Sequence, residues 1–176
     1  SEEDAHGNKV SYKYNDNNQI EAIVYADGNE PKFEYDRKGN LIAEINNFGG
    51  RREFEYDELH RIVKETDALG NTTTYQYNIY DKAIQVCNAK GDISTYKYDA
   101  CGNLIESVDF NGNKTNAAYN VLNKVEKVID AEGHITRYEY DKTWRLSKVT
   151  DACGAVTEYQ YDAMGRQTKD ILPNAA

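Results

Sequence analysis

Five aspartates, Asp36, Asp57, Asp99, Asp141 and Asp162, each follow a tyrosine directly and sit at multiples of 21 residues from one another. Regularly spaced carboxylates are what general acid–base chemistry asks for, with one group protonated and another ionised. The three remaining equivalent positions hold Asn15, Asn78 and Asn120. An amide neither gives nor takes a proton at such a site, so acid–base work does not explain the position. Asp and Asn do share another property, which is that both bond backbone two residues further on and start a turn. The aspartates read as turn residues, and no catalytic residue is assigned.

Other reactive side chains converge no better. His6, His60 and His134 fall at three different phases of the 21-residue spacing, so periodicity builds no metal centre from them. Cys87 occupies a position held elsewhere by Val or Ile and reads as a small apolar strand residue. Cys101 and Cys153 lie in turns of opposite type, and a disulfide between them is not expected. The oxygen-rich stretches Asn15-Asp16-Asn17-Asn18 and Asp109-Phe110-Asn111-Gly112-Asn113 carry the ligand types of a calcium loop, but they read as plain Asn-rich turns. Neither a cofactor nor a metal is implied. Asn71-Thr72-Thr73 and Asn113-Lys114-Thr115 match the glycosylation sequon.

The spacing behind the aspartates is the organising feature. Tyrosines recur at Tyr14, Tyr35, Tyr56, Tyr77, Tyr98, Tyr119, Tyr140 and Tyr161. Glycines keep the same interval at Gly7, Gly28, Gly49, Gly70, Gly91, Gly112, Gly133 and Gly154. These sixteen residues define a repeat, and self-similarity at a fixed period marks a repeat architecture. The expected organisation is a single array over residues 1–176, a fragment of a larger protein. Its first residues, Asp4-Ala5-His6-Gly7, already fit the turn before a tyrosine pair, and Ile171-Leu172-Pro173 stands where another turn would begin.

Composition sets looser limits. Hydrophobic residues make up 39%, mean hydropathy is −0.85, and 15 of the aromatic residues are Tyr. Tyrosine suits surfaces that are half buried and half wet. A net charge of −9 opposes a nucleic-acid partner, whose phosphates need clustered Lys and Arg. No apolar run approaches the roughly 20 residues of a membrane helix, so membrane insertion is not expected.

Counting each repeat from its tyrosine as position 0 gives Tyr-x-Tyr-Asp-x-x-Gly-Arg-Leu-x-Lys-Val-x-Asp-Ala-x-Gly-x-x-Thr, legible in Tyr138 to Thr157. Two runs rich in Thr, Tyr, Val, Ile and Leu alternate with two turn signals, the pattern of strand, turn and strand. Position +4 calls for positive φ, as in a three-residue hairpin closed by a glycine bulge. Gly39, Gly102 and Gly165 meet that demand, and so do Asn18, Asn123, Asp81 and His60. Trp144 does not fit, and a different turn is expected there.

An odd period constrains the facing of side chains, which alternate along a strand. Equivalent repeats need two hairpin loops of different parity, or one extra bulge. The expectation places the odd step in the second turn. It puts the aromatic pair, the Leu at +6 and the Val or Ile at +10 on one face. The fold class is therefore all-β, with 21-residue hairpin repeats forming one long, twisted and coiling antiparallel sheet. One repeat cannot fold alone, and stability comes from stacking on neighbours. Terminal strands are expected to be open edges prone to edge-to-edge self-association.

Gly133-His134-Ile135-Thr136-Arg137-Tyr138-Glu139-Tyr140-Asp141 and the Gly154-to-Arg166 copy resemble the YD repeat of the Rhs family. That family includes bacterial polymorphic toxins, B and C components of insecticidal toxin complexes, wall-associated proteins and teneurins. The resemblance implies a β-sheet shell of a secreted or cell-surface protein that encloses a C-terminal cargo domain. Partners would be neighbouring YD repeats and that cargo. With only Pro31 and Pro173 present, the family's Asp-Pro-rich core segment has no counterpart, so neither self-cleavage nor a toxin carries over. The reading is a non-enzymatic wall segment; the alternative is an adhesive module whose tyrosines bind carbohydrate.

Overall fold

The structure is a computed structural model that describes residues 2–3 and 9–172. Gly7, with the turn assigned to residues 4–7, lies outside the described residues, as does Pro173. Two compact units divide between Asp92 and Ile93, and each is taken by itself.

The first unit holds β1 (Glu2–Glu3), β2 (Lys9–Tyr14), β3 (Ile20–Val24), β4 (Lys32–Tyr35), β5 (Leu41–Ile45), β6 (Arg51–Tyr56), β7 (Ile62–Thr66), β8 (Thr72–Tyr77) and β9 (Ala83–Cys87). The second holds β10 (Ile93–Tyr98), β11 (Leu104–Val108), β12 (Lys114–Tyr119), β13 (Val125–Ile129), β14 (Ile135–Tyr140), β15 (Leu146–Thr150), β16 (Val156–Tyr161) and β17 (Gln167–Ile171). Within each unit every strand pairs antiparallel with the next in sequence, giving an open meander. The described residues contain no helix.

Turn chemistry sets the strand ends. In the first turn of the repeat beginning at Tyr98, Asp99 N–H donates to Asn103 O at 2.9 Å and Gly102 N–H to Asp99 O at 3.0 Å. The second turn repeats this with Asp109, Asn113 and Gly112. Both are therefore the same three-residue hairpin, closed by a residue of positive φ. That residue is Gly102 at φ 82° in the first turn and Gly112 at φ 85° in the second.

Three expectations are corrected. The odd step does not lie in the second turn. It is a β-bulge at position +7, on the strand after the first turn. Tyr98 pairs with Leu104 while Lys97 pairs with Glu106, which leaves Ile105 unmatched. The same shift recurs in all eight first hairpins, whereas the second hairpins pair without a shift. The bulge turns an odd period into an even alternation, so successive repeats within a unit keep their facing.

The second correction follows from the first. Beyond the bulge the alternation is reset, and position +10 joins the face opposite the tyrosines. Val108 pairs with Thr95, whereas Tyr96 pairs with Ser107. One face therefore carries the residues at −2, 0, +6 and +9, and is rich in tyrosine. The other carries those at −1, −3, +8 and +10. Thirdly, Trp144 makes no different turn. It sits at φ 64°, with its N–H on Asp141 O at 2.9 Å, like its counterparts.

A single-layer sheet has little interior. Among the described residues only Ala22, Ala43, Phe54 and Ser94 are buried, and no large side chain is fully enclosed. Stability must therefore come from the ladder and from half-buried side chains packed between neighbouring strands.

Candidate functional site

The position-0 tyrosines build a ladder from one repeat to the next. Tyr35 Oη donates to Ile20 O at 2.9 Å, and Tyr56 Oη to Leu41 O at 2.7 Å. Tyr77 reaches Ile62 O in the same way, and in the second unit Tyr119, Tyr140 and Tyr161 reach Leu104, Val125 and Leu146. Every acceptor is the +6 residue, the one paired with the tyrosine of the preceding repeat. Pairing between repeats stops at +8, as where Lys127 meets Arg137, so the +6 carbonyl lies past the end of the ladder. The phenol supplies the missing donor, since a polar group left unpaired in a half-buried setting is costly.

The aspartates hold the turns. Asp99 Oδ1 accepts from the N–H groups of Cys101 and Asn103, both at 2.9 Å, and Asn103 Nδ2 donates to Oδ2. Asp36, Asp57, Asp141 and Asp162 do the same work, and Asn15, Asn78 and Asn120 use their amide oxygen identically. Hydrogen bonding holds these carboxyls below the usual range: the Asn103 amide leads for Asp99, the Arg61 guanidinium for Asp57, and the Arg145 N–H for Asp141. Such groups stay ionised and are poor proton donors at neutral pH.

Within each unit residues at +5 reach toward the next repeat. Arg61 lies over the Tyr77 ring at 4.9 Å and donates to Asn78 O and to Asp81 Oδ1. Arg145 covers Tyr161 at 4.6 Å, and Lys124 covers Tyr140 at 5.4 Å. Desolvation raises the phenol pKa of Tyr56, Tyr75, Tyr77, Tyr98 and Tyr140. Tyr14, at the first position 0, is half exposed.

The glycines of the repeat, Gly28, Gly49, Gly70, Gly91, Gly112, Gly133 and Gly154, all close second turns at positive φ. A Cβ there would meet open space, so backbone conformation alone sets the requirement.

The two faces differ in chemistry. In the second unit the strand residues of the tyrosine face bear no charge from Ser94 to Tyr161, and the cations over its rings, Lys124 and Arg145, reach in from the turns. In the first, Arg52 stands on that face over Phe54, with its guanidinium on Glu65 at 2.7 Å and Glu44 at 3.6 Å. The opposite face of the second unit carries Lys97, Lys114, Lys127, Arg137, Lys148 and Lys169 against Glu106, Glu139 and Glu158.

One group of metal-capable side chains converges among the described residues, and periodicity gave no sign of it: Asp130, Glu132 and His134 in a second turn. Its geometry has a simpler account. His134 Nδ1 lies 3.0 Å from Asp130 Oδ2, where Asn71 and Asn113 place an amide on Asp67 and Asp109. All three cysteines are free thiols. The shallow clefts between strands gather turn residues, as Asp36, Asn40 and Asp57 do beside Phe54 and Tyr56.

Comparison with known proteins agrees with this geometry. The RHS repeat family matches residues 35–72, 56–82 and 145–175. No curated protein matches the chain in sequence. A crystal structure of TcdB2-TccC3-TEV is 16% identical with a TM-score of 0.56, over 93% of this chain and 11% of that one. The Photorhabdus luminescens Tc holotoxin pore is 12% identical with a TM-score of 0.66, over 95% of this chain and 12% of that one. TcdB2-TccC3 without its hypervariable C-terminal region is 14% identical with a TM-score of 0.52, over 92% and 12%. At such identities the likeness is one of fold, and the chain spans about an eighth of these proteins. Over those matched residues the 21-residue unit of this chain is similar to an RHS repeat.

Proposed function

We propose that residues 1–176 form one array of eight repeats serving as a section of wall in the shell of a secreted or cell-surface Rhs-type protein. The wall encloses a C-terminal cargo domain, and the array itself carries out no chemistry. The observation that carries this reading is the tyrosine ladder. The phenols of Tyr35, Tyr56, Tyr77, Tyr119, Tyr140 and Tyr161 are committed to the backbone of the preceding repeat, so these recurrent side chains fasten strands rather than await a ligand. The Tyr and Gly positions thus define the repeat by what they do for its backbone.

The adhesive alternative needs free phenols and open ring faces for sugar stacking. At Tyr77 and Tyr161 the hydroxyl is bonded and an arginine covers the ring, which favours the wall. Two whole repeats deleted in register from the parent protein test the proposal. A wall predicts lost cargo retention with the cargo's own activity intact. Specific binding of the isolated chain to a glycan array, lost on substituting the tyrosines, would favour adhesion instead.

A further inference from the structure

In the hairpin that joins two repeats, the residue at +8 stands directly opposite the residue at +18. Elsewhere this pair joins a charged residue to a neutral one, as Lys64 to Thr74, or opposite charges, as Lys148 to Glu158. Lys127 and Arg137 alone among the described pairs set two like charges face to face. Directly opposed side chains have Cβ atoms about 5 Å apart, and like charges at that distance oppose pairing. Neither cation has a carboxylate within ion-pair distance among the described residues. The acidic groups next to them on this face are already engaged, Glu106 by Lys97 and Lys114, and Glu139 by Lys148. The cross-strand row continues into Ala118 on one side and Thr150 on the other. Both are small, so nothing in that row overhangs the cations.

We propose that Lys127 and Arg137 form a docking point for a carboxylate side chain of an acidic polypeptide partner. The planar guanidinium accepts a carboxylate through two parallel N–H donors, and the ammonium adds a point charge beside it. Binding relieves the repulsion that the unliganded pair carries. The surroundings select a discrete anion over a nucleic acid. A phosphate backbone, charged every few ångströms, would run from this point onto Glu106 or Glu139. A single Asp or Glu side chain fits between them. The whole face has the matching balance, six basic against three acidic side chains on a chain of net charge −9. This inference is independent of the wall reading, since it concerns only the charged face of residues 93–172.

The test is fluorescence anisotropy of a labelled octaglutamate peptide titrated with the full chain. The expected result is saturable binding that weakens with added salt. Arg137→Glu makes the pair resemble Lys148 with Glu158, so thermal stability should hold or rise while peptide affinity falls about tenfold or more. Lys127→Thr should weaken binding too, and Lys90→Thr in an exposed turn of the other unit should not. Absence of saturable binding, unchanged affinity in Arg137→Glu, or tighter binding of duplex DNA at the same site would each overturn the proposal.

Discussion

The phenol of Tyr140 donates to the carbonyl oxygen of Val125 at 2.8 Å, bridging two repeats at the point where their strand pairing has ended. Val125 is itself the partner of Tyr119, so Tyr140 caps the residue its predecessor pairs with, as do the other tyrosines of the ladder. The rungs therefore couple nearest neighbours, which is how a one-dimensional array gains stability that no single repeat has.

Tyr140→Phe should keep the ring and lose only the donor. Removing one partner of a half-buried hydrogen bond costs about 1 kcal/mol. Denaturant unfolding should show that loss for Tyr140→Phe and for Tyr56→Phe. Tyr80→Phe, at a turn tip and 73% exposed, should change little. Equal stability across all three would remove the ladder from the account.

Acid should destabilise the chain through its turns. The carboxyls of Asp99 and Asp57 are held below their ordinary range, first by the hydrogen bonds from Asn103 and Arg61. A depressed folded-state pKa contributes stability that is present above the unfolded value of about 3.9 and lost as pH falls through the folded one. Thermal melting followed from pH 7 downwards should therefore decline below about pH 4. Asp99→Asn supplies the same amide oxygen as Asn78 and should flatten that decline with little cost at neutral pH.

Alkali should act on the ladder with the opposite sign. Burial raises the phenol pKa of Tyr56, Tyr77 and Tyr140. A raised folded-state value contributes stability that is complete below about pH 10 and lost as pH rises through the folded pKa. Phenolate absorbance and far-ultraviolet dichroism recorded together should change in step above pH 10. Full ionisation with the sheet intact would contradict it.

Much of the fold was legible because turn residues declare themselves. Asp, Asn and Gly at fixed offsets have few other physical explanations, and both hairpins per repeat followed from them. The bulge was illegible for the converse reason. Position +7 holds residues as different as Glu21, Ile42, Ile105, Ser147 and Thr168, so no side chain marks it. An odd step of unknown place was then assigned to a turn, and position +10 went to the wrong face with it. The ladder was hidden because its acceptor is backbone, which a sequence does not distinguish from any other carbonyl.

Trp144 shows how far context overrides residue preference. Its turn closes with the same bonds as its neighbours, at φ 64°, where non-glycine side chains pay about 1 to 2 kcal/mol. The expected outcome is that Trp144→Gly is more stable than Trp144→Ala by about 1 kcal/mol, since both lose the ring and only one tolerates the angle. Chemical denaturation of the two variants decides it.

The bulge yields a ranking between two deletions. Ile105 is the unmatched residue, and removing it leaves Tyr98 opposite Leu104, Lys97 opposite Glu106 and Tyr96 opposite Ser107. The alternation across the gap is then regular, and every side chain keeps its face. Deleting Ser107 removes one residue as well, but the chain can keep its turns only by drawing Ile105 into the ladder. Ile105 would then face Lys97, and Glu106 would move opposite Tyr96 onto the tyrosine face. There Glu106 would lose Lys97 and Lys114, both of which bond it on the charged face. A carboxylate stranded among tyrosines costs more than a lost bulge, whose removal sacrifices mainly local twist. Deletion of Ile105 should therefore give a folded, cooperative chain close to wild type in melting temperature. Deletion of Ser107 should melt well below it or fail to fold. Should the two deletions melt alike, the assignment of the odd residue to position +7 would be wrong, and the repeats would be keeping their facing by some other route.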